Sequence, residues 1–213
     1  KRNGLVPTVK EKNKKKGNHV CAVCILCACS IHPISASAKS LGYKWPDEVD
    51  DIFFYCSPDI FSTSEREAVR AGINTWNAVD QANGYKLRSL FLTTGESDNV
   101  IAKPLVWTYD SSAIGYCSVA HSGSTINQAC IYLNPNAPFT VGASYGKYDI
   151  QSVITHETGH ALGIAHCHEI GQTCFSSTCK LNAMNPQAQL NSIQRRTLQQ
   201  YDSASYIYIY LYS

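Results

Sequence analysis

The chain has 213 residues, of which 44% are hydrophobic and 16% charged, an ordinary balance for one globular domain with a substantial core. Its net charge of +2 conceals an uneven distribution, because seven of the 18 basic residues fall in the first 16 positions with only Glu11 against them. From Lys39 onward the acidic residues outnumber the basic ones, which speaks against nucleic acid as a partner.

The lysine-rich start is followed by an apolar run over residues 20–31 and then by Ala36, Ser37 and Ala38. A basic region, a short apolar region and a small-x-small exit predict a secretory signal peptide over residues 1–38, leaving residues 39–213 as a single exported domain. The apolar run is too short to span a bilayer as a mature anchor. Two other readings stay open. Leu26, Cys27, Ala28 and Cys29 resemble a bacterial lipobox with Cys29 as the lipidated residue, which would make a surface lipoprotein, and the segment would also suit a buried N-terminal helix. A secreted, extracellular monomer is the expectation, with no membrane contact in the mature form unless Cys29 is lipidated.

Loss of the first 38 residues leaves Cys56, Cys117, Cys130, Cys167, Cys174 and Cys179. An even set in an exported chain predicts up to three disulfides, with 15 connectivities open; Cys117 and Cys130 are spaced to close a hairpin-like loop.

In chain order, residues 51–55 are aromatic and β-branched and predict a first strand. Ser62 and Ser64 each precede a glutamate by three residues, Glu65 and Glu67, giving overlapping capping boxes. Val69, Ile73, Trp76 and Val79 follow at helical spacing, so this helix should lay one apolar face on a sheet. Residues 86–93 and 100–107 predict strands, the second pushed towards an edge or bend by Pro104. Residues 127–134 form a further predicted strand, and Asp149 is placed to cap the helix that starts at Ile150. Residues 191–206 predict a moderately amphipathic C-terminal helix. The alternation of Tyr and Ile over residues 206–210 suits either a strand or a packed tail.

The chemistry concentrates between residues 156 and 166. His156 and His160 stand one turn apart on one helix face, with Glu157 beside it. Gly163 can take the left-handed conformation that ends a helix, so the chain can return His166 as a third ligand. Three imidazoles with a fourth position left for water suit a catalytic zinc site rather than a structural one. A bare His-Glu-x-x-His recurs by chance, but three converging histidines without a metal would need other partners.

His156, Glu157, His160, Gly163 and His166 resemble the elongated zinc motif of the metzincin metalloproteases, and the wording around His160 is most similar to the matrixin branch. Met184, the chain's only methionine, lies where metzincins carry a Met-turn, and Pro186 two residues on matches matrixins. Cys167 stands where matrixins usually have Ser. Neither the Cys-switch motif nor Asp- and Gly-rich calcium loops are found, which leaves calcium dependence open.

The resemblance implies an α+β fold: a twisted, mostly parallel sheet with an antiparallel edge strand, an active-site helix, a Met-turn and a C-terminal helix. It also implies a zinc-dependent metalloendopeptidase acting on extracellular proteins or peptides, with His156, His160 and His166 as metal ligands and Glu157 as general base. In the family the strand before the zinc helix is an edge strand that holds substrate. By position that is residues 127–134, so Ala129, Ile131 and Leu133, together with Pro186, are expected to contact substrate.

His121 is a weaker candidate for substrate contact, and it and His168 are expected at the surface. The competing readings are a non-catalytic, exported metal-binding or adhesin-like module on the same scaffold, and a second, structural zinc held by Cys167, His168, Cys174 and Cys179.

Overall fold

Strand β1 (Asp51–Cys56) alternates outward and inward residues, burying Ile52, Phe54 and Cys56 as a half-exposed strand must. The computed structural model describes residues 39–84, 87–168 and 179–213. The expected signal segment with Cys29, the predicted strand start at Lys86, and Cys174 lie outside the described residues. No described helix is long and apolar enough to cross a membrane.

Helix α1 (Thr63–Asn83) starts where the first capping box predicts. The Ser62 amide donates to Glu65 Oε2 at 2.9 Å and the Ser62 hydroxyl accepts from the Glu65 amide at 3.3 Å. Ser64 lies one residue inside the helix, so the second box does not form. Val69, Ile73, Trp76 and Val79 are all buried on the face turned to the sheet, each contributing roughly 1.5–3 kcal/mol if burial is complete.

The sheet runs β2 (Ser89–Thr93), β1, β3 (Val100–Ala102), β5 (Thr125–Leu133), β4 (Gly115–Ser122). Its pairs are parallel except β4 with β5, which is antiparallel. The expected strand over 100–107 is shorter than its apolar run, stopping at Ala102 before Pro104, which cannot donate to a ladder. A two-residue parallel pair, β6 (Phe139–Thr140) with β7 (Tyr148–Asp149), lies outside the main sheet and delivers the chain to helix α2 (Ile150–Ala161).

The expected edge strand is corrected here. Residues 127–134 fall in β5, which pairs with β3 on one side and β4 on the other, so the antiparallel edge is β4. Ala129, Ile131 and Leu133 have no exposed surface, and their side chains belong to the core under the sheet.

The C-terminal helix is also displaced. Asn191 sits at φ +60°, a left-handed conformation that an α-helix does not pass through. A short 3₁₀ turn follows at Gln194–Arg196, and helix α3 (Gln200–Leu211) begins only where the Gln199 amide donates to Asp202 Oδ2 at 2.8 Å. Tyr206, Ile207, Ile209 and Tyr210 are all buried, so the Tyr/Ile alternation is one face of a helix.

The helices α1 and α2 touch closely over the sheet. A Cβ on Gly72 would come within 2.8 Å of Ile154 Cγ2, and the Trp76 indole donates to the Thr155 carbonyl at 2.8 Å. Tyr206 closes this core from α3, edge-on to Trp76 at 5.7 Å between ring centroids.

Candidate metal centre

Asp149 caps α2, as its position predicts. Its carboxylate accepts from the Ser152 amide at 3.0 Å, the Ser152 hydroxyl at 2.7 Å and the Gly142 amide at 2.8 Å, and pairs with Arg196 at 2.6 and 2.8 Å. Burial alone would raise this carboxyl, but the Arg196, Ser152 and Gly142 bonds outweigh it and hold the group below its ordinary value. A fixed N-terminus sets the rotation of α2 and therefore the direction of its histidine face.

That face carries His156 and His160. Past Leu162 the chain turns at Gly163, whose φ of +83° is left-handed and whose Cβ, if present, would lie 2.1 Å from the Tyr43 carbonyl oxygen. The turn brings His166 back, with its Nε2 3.1 Å from His160 Nε2 and 3.2 Å from His156 Nε2. His156 Nδ1 contacts the Ala183 carbonyl at 2.7 Å and His160 Nδ1 the Ile164 carbonyl at 2.8 Å. A carbonyl only accepts, so each Nδ1 carries the proton and each Nε2 presents a lone pair.

Burial, followed by the neighbouring imidazoles, drives His156 well below the usual histidine range and His160 to about 4, so both are neutral at pH 7. A proton on His166 Nε2 would satisfy one of the two facing lone pairs at full strength. A cation satisfies all three nitrogens at once, and the triad is a group that could hold a metal ion.

Met184 lies beneath α2 and is fully buried. A Cβ on Gly159, between the two helical histidines, would meet Met184 Sδ at 2.2 Å, so the helix and the methionine fit only because position 159 is glycine. The turn is pinned by Asp202, which accepts from the Ala183 amide at 2.9 Å and the Met184 amide at 3.1 Å. The Met184 carbonyl in turn accepts from the Cys167 amide at 2.9 Å, next to His166. The segment around Met184 thus fixes His156 through Ala183 and the third-ligand loop through Cys167.

Glu157 is buried, with its carboxyl under Gly115 of β4: a Cβ there would stand 2.6 Å from Glu157 Oε1. The Cys117 amide donates to the carboxylate, and burial, only partly offset by Arg195 and that amide, raises its pKa to about 8. Its carboxyl stands beside the metal-binding triad, oriented by the Cys117 amide.

Several sequence expectations fall elsewhere. Pro186 is half-buried, and the wall facing the start of α2 is formed by Ala188 and Gln189. His121 lies exposed on β4, stacked on Tyr43 at 4.5 Å, as a surface residue. His168 is buried instead of exposed, with Nδ1 3.2 Å from Cys167 Sγ and 3.4 Å from Cys179 Sγ. That trio has the ligand types of a second metal site, but Cys179 is disulfide-bonded and offers no thiolate.

Cys56, Cys117, Cys130 and Cys167 are free thiols while Cys179 is disulfide-bonded, so the bonds stay below the expected upper limit of three. Cys117 pairs across the ladder with Ile131, and Cys130 with Ser118. One residue of offset places the two sulfurs on opposite faces of the sheet, where no bond can join them.

Sequence reasoning missed Gly115, Ala183, Arg195 and Asp202. Gly115 and Ala183 act through space and backbone and carry no pattern. The two charged residues sit in segments whose buried neighbours come from distant parts of the chain, so spacing alone gives no signal for them.

No protein-family model matches the chain, and no curated protein matches it in sequence.

Proposed function

We propose that the protein is a zinc-dependent metalloendopeptidase of metzincin type, and that its α+β fold is a metzincin fold. The observation that carries this is the convergence of the His156, His160 and His166 Nε2 atoms beside a buried Glu157. The separations of 3.1 and 3.2 Å are close to the roughly 3.3 Å between ligands of a tetrahedral ion with metal–nitrogen bonds of about 2.0–2.1 Å, the zinc value. Three protein ligands leave a fourth position.

When bound, zinc supplies a Lewis acid for a peptide carbonyl and a water whose pKa is lowered to about 7. The chain's own residues do the rest. His156 and His160 are held as neutral donors by the Ala183 and Ile164 carbonyls. Glu157 takes the proton from the attacking water on its carboxylate and passes it to the leaving amine. The Cys117 amide keeps that carboxylate oriented, and Gly115 leaves room for it. An extended peptide can pair with β4, the antiparallel strand at the edge of the sheet among the described residues.

The test is direct. Purified protein is assayed for bound metal by mass spectrometry and for cleavage of a mixed peptide library, before and after chelation. Stoichiometric zinc with chelator-sensitive cleavage supports the reading; zinc-loaded protein that cleaves nothing overturns it in favour of a metal-binding module.

A further inference from the structure

The loop that returns the third ligand, from Gly163 to His166, belongs to no helix or strand. It is held by residues from distant parts of the chain. On one side the Leu41 amide donates to the Gly163 carbonyl at 2.8 Å and the Ala165 amide to the Lys39 carbonyl at 3.2 Å, with Ser40 bridged antiparallel to Ile164. On the other side stands Tyr201, in the first turn of α3, whose hydroxyl bonds to the carbonyl of His166 itself at 3.3 Å.

A phenol hydroxyl has one proton and can accept as well as donate. A carbonyl only accepts and an amide only donates, so the Tyr201 proton points at His166 while the Lys39 amide bonds to the phenol oxygen. One hydroxyl thus joins the N-terminal segment, α3 and the backbone of a metal ligand. The ring packs against the core, so the hydroxyl can be removed with that packing kept. The next residue, Asp202, pins the Ala183 and Met184 amides, and the Ala183 carbonyl orients His156. His160 is oriented by the Ile164 carbonyl, which belongs to the loop that Tyr201 ties down. The first turn of α3 therefore reaches all three ligands, with Tyr201 serving the loop and Asp202 the turn at Met184.

We infer that Tyr201 is a positioning residue of the metal centre, whose hydroxyl fixes the loop of His166 and so sets how tightly the site holds a metal ion. This role rests on the metal-binding part of the peptidase reading. A metal ion accepts a narrow range of ligand placements, and the groups behind its ligands contribute to affinity by fixing them before the ion arrives. Without the ion the loop can relax around a lost bond; with the ion it cannot. Loss of the hydroxyl should therefore weaken the loaded protein more than the apo protein, and that difference is metal affinity.

The experiment uses the full chain, with zinc dissociation constants read by competition against a chromophoric chelator. Tyr201→Phe should bind zinc at least about threefold more weakly, within the range of one net neutral hydrogen bond. Tyr208→Phe, two turns further along α3, should keep the parental affinity. Denaturant unfolding should show apo Tyr201→Phe close to the apo parent, and the loaded variant below the loaded parent. A smaller change in zinc affinity, with apo and loaded proteins losing stability alike, makes Tyr201 an ordinary packing residue and overturns the inference while the metal centre stands. Should Tyr201→Phe not fold, amide exchange in the parent decides. Zinc should then slow exchange at Lys39, whose amide the hydroxyl anchors, together with Ala165, and slowing at Ala165 alone overturns the inference. A parent that binds zinc but cleaves no peptide removes the peptidase and keeps this role for Tyr201. A parent that binds no metal removes both.

Discussion

Gly159 and Met184 occupy one space: a Cβ at position 159 would lie 2.2 Å from Met184 Sδ and 2.8 Å from the Trp76 ring. The helix that carries His156 and His160 therefore rests on the turn at Met184 with no room for a side chain between them. Gly159→Ala should raise intrinsic helix propensity yet destabilise the protein by roughly 1–3 kcal/mol, because overpacking outweighs the helical gain of about 1 kcal/mol. Denaturant unfolding checks this; a midpoint equal to or above the parent's would show that Met184 moves aside freely. Met184→Ala in the same background should recover part of the loss.

Ligand and base should separate by metal content. His160→Ala removes one of the three convergent nitrogens and should strip the metal, whereas Glu157→Ala leaves all three and should keep it. Activity should disappear in both, with a loss of at least about 10²-fold for Glu157→Ala at full metal content. A Glu157→Ala protein cleaving at the parental rate would remove Glu157 from the mechanism.

The Asp149–Arg196 pair should give the acid limb of stability. Asp149 has a folded-state pKa below its ordinary value, so the unfolded chain takes up its proton first as pH falls. The stabilisation is complete above the ordinary carboxylate range, about pH 4, and is lost as pH drops through the lower folded value. Asp149→Asn keeps a good capping residue but loses the pair, at roughly 2–3 kcal/mol at pH 7 after discounting for the partial exposure of Arg196. Its stability should fall less steeply with acid than the parent's. Parallel curves from pH 6 to pH 2 would show that the pair carries no linkage.

Cys117 and Cys130 should both be alkylated when non-reduced protein is unfolded in the presence of a thiol reagent, since they face opposite sides of the β4–β5 ladder. A peptide-mapped bond between them would mean that the register is shifted by one residue, which would also turn Gly115 away from Glu157.

What the sequence determined by itself is local. The 156/160 spacing, the left-handed turn at Gly163, the Asp149 cap and the apolar stripe from Val69 to Val79 all follow from the period of a helix and from single-residue conformational limits, which hold wherever the segment is placed. What only the tertiary structure decided is non-local. The residues 127–134 read as a strand in either an edge or an interior position, and only pairing with both β3 and β4 buried Ala129, Ile131 and Leu133. The Tyr/Ile alternation at residues 206–210 fits a period of two or of 3.6, and packing of Tyr206 against Trp76 selected the helix. Orientation of His156 by the Ala183 carbonyl and support of that turn by Asp202 join groups many residues apart. Hydrogen bonds and charges act through distances in space, and distances in space are set by how the sheet and helices pack rather than by the order of residues along the chain.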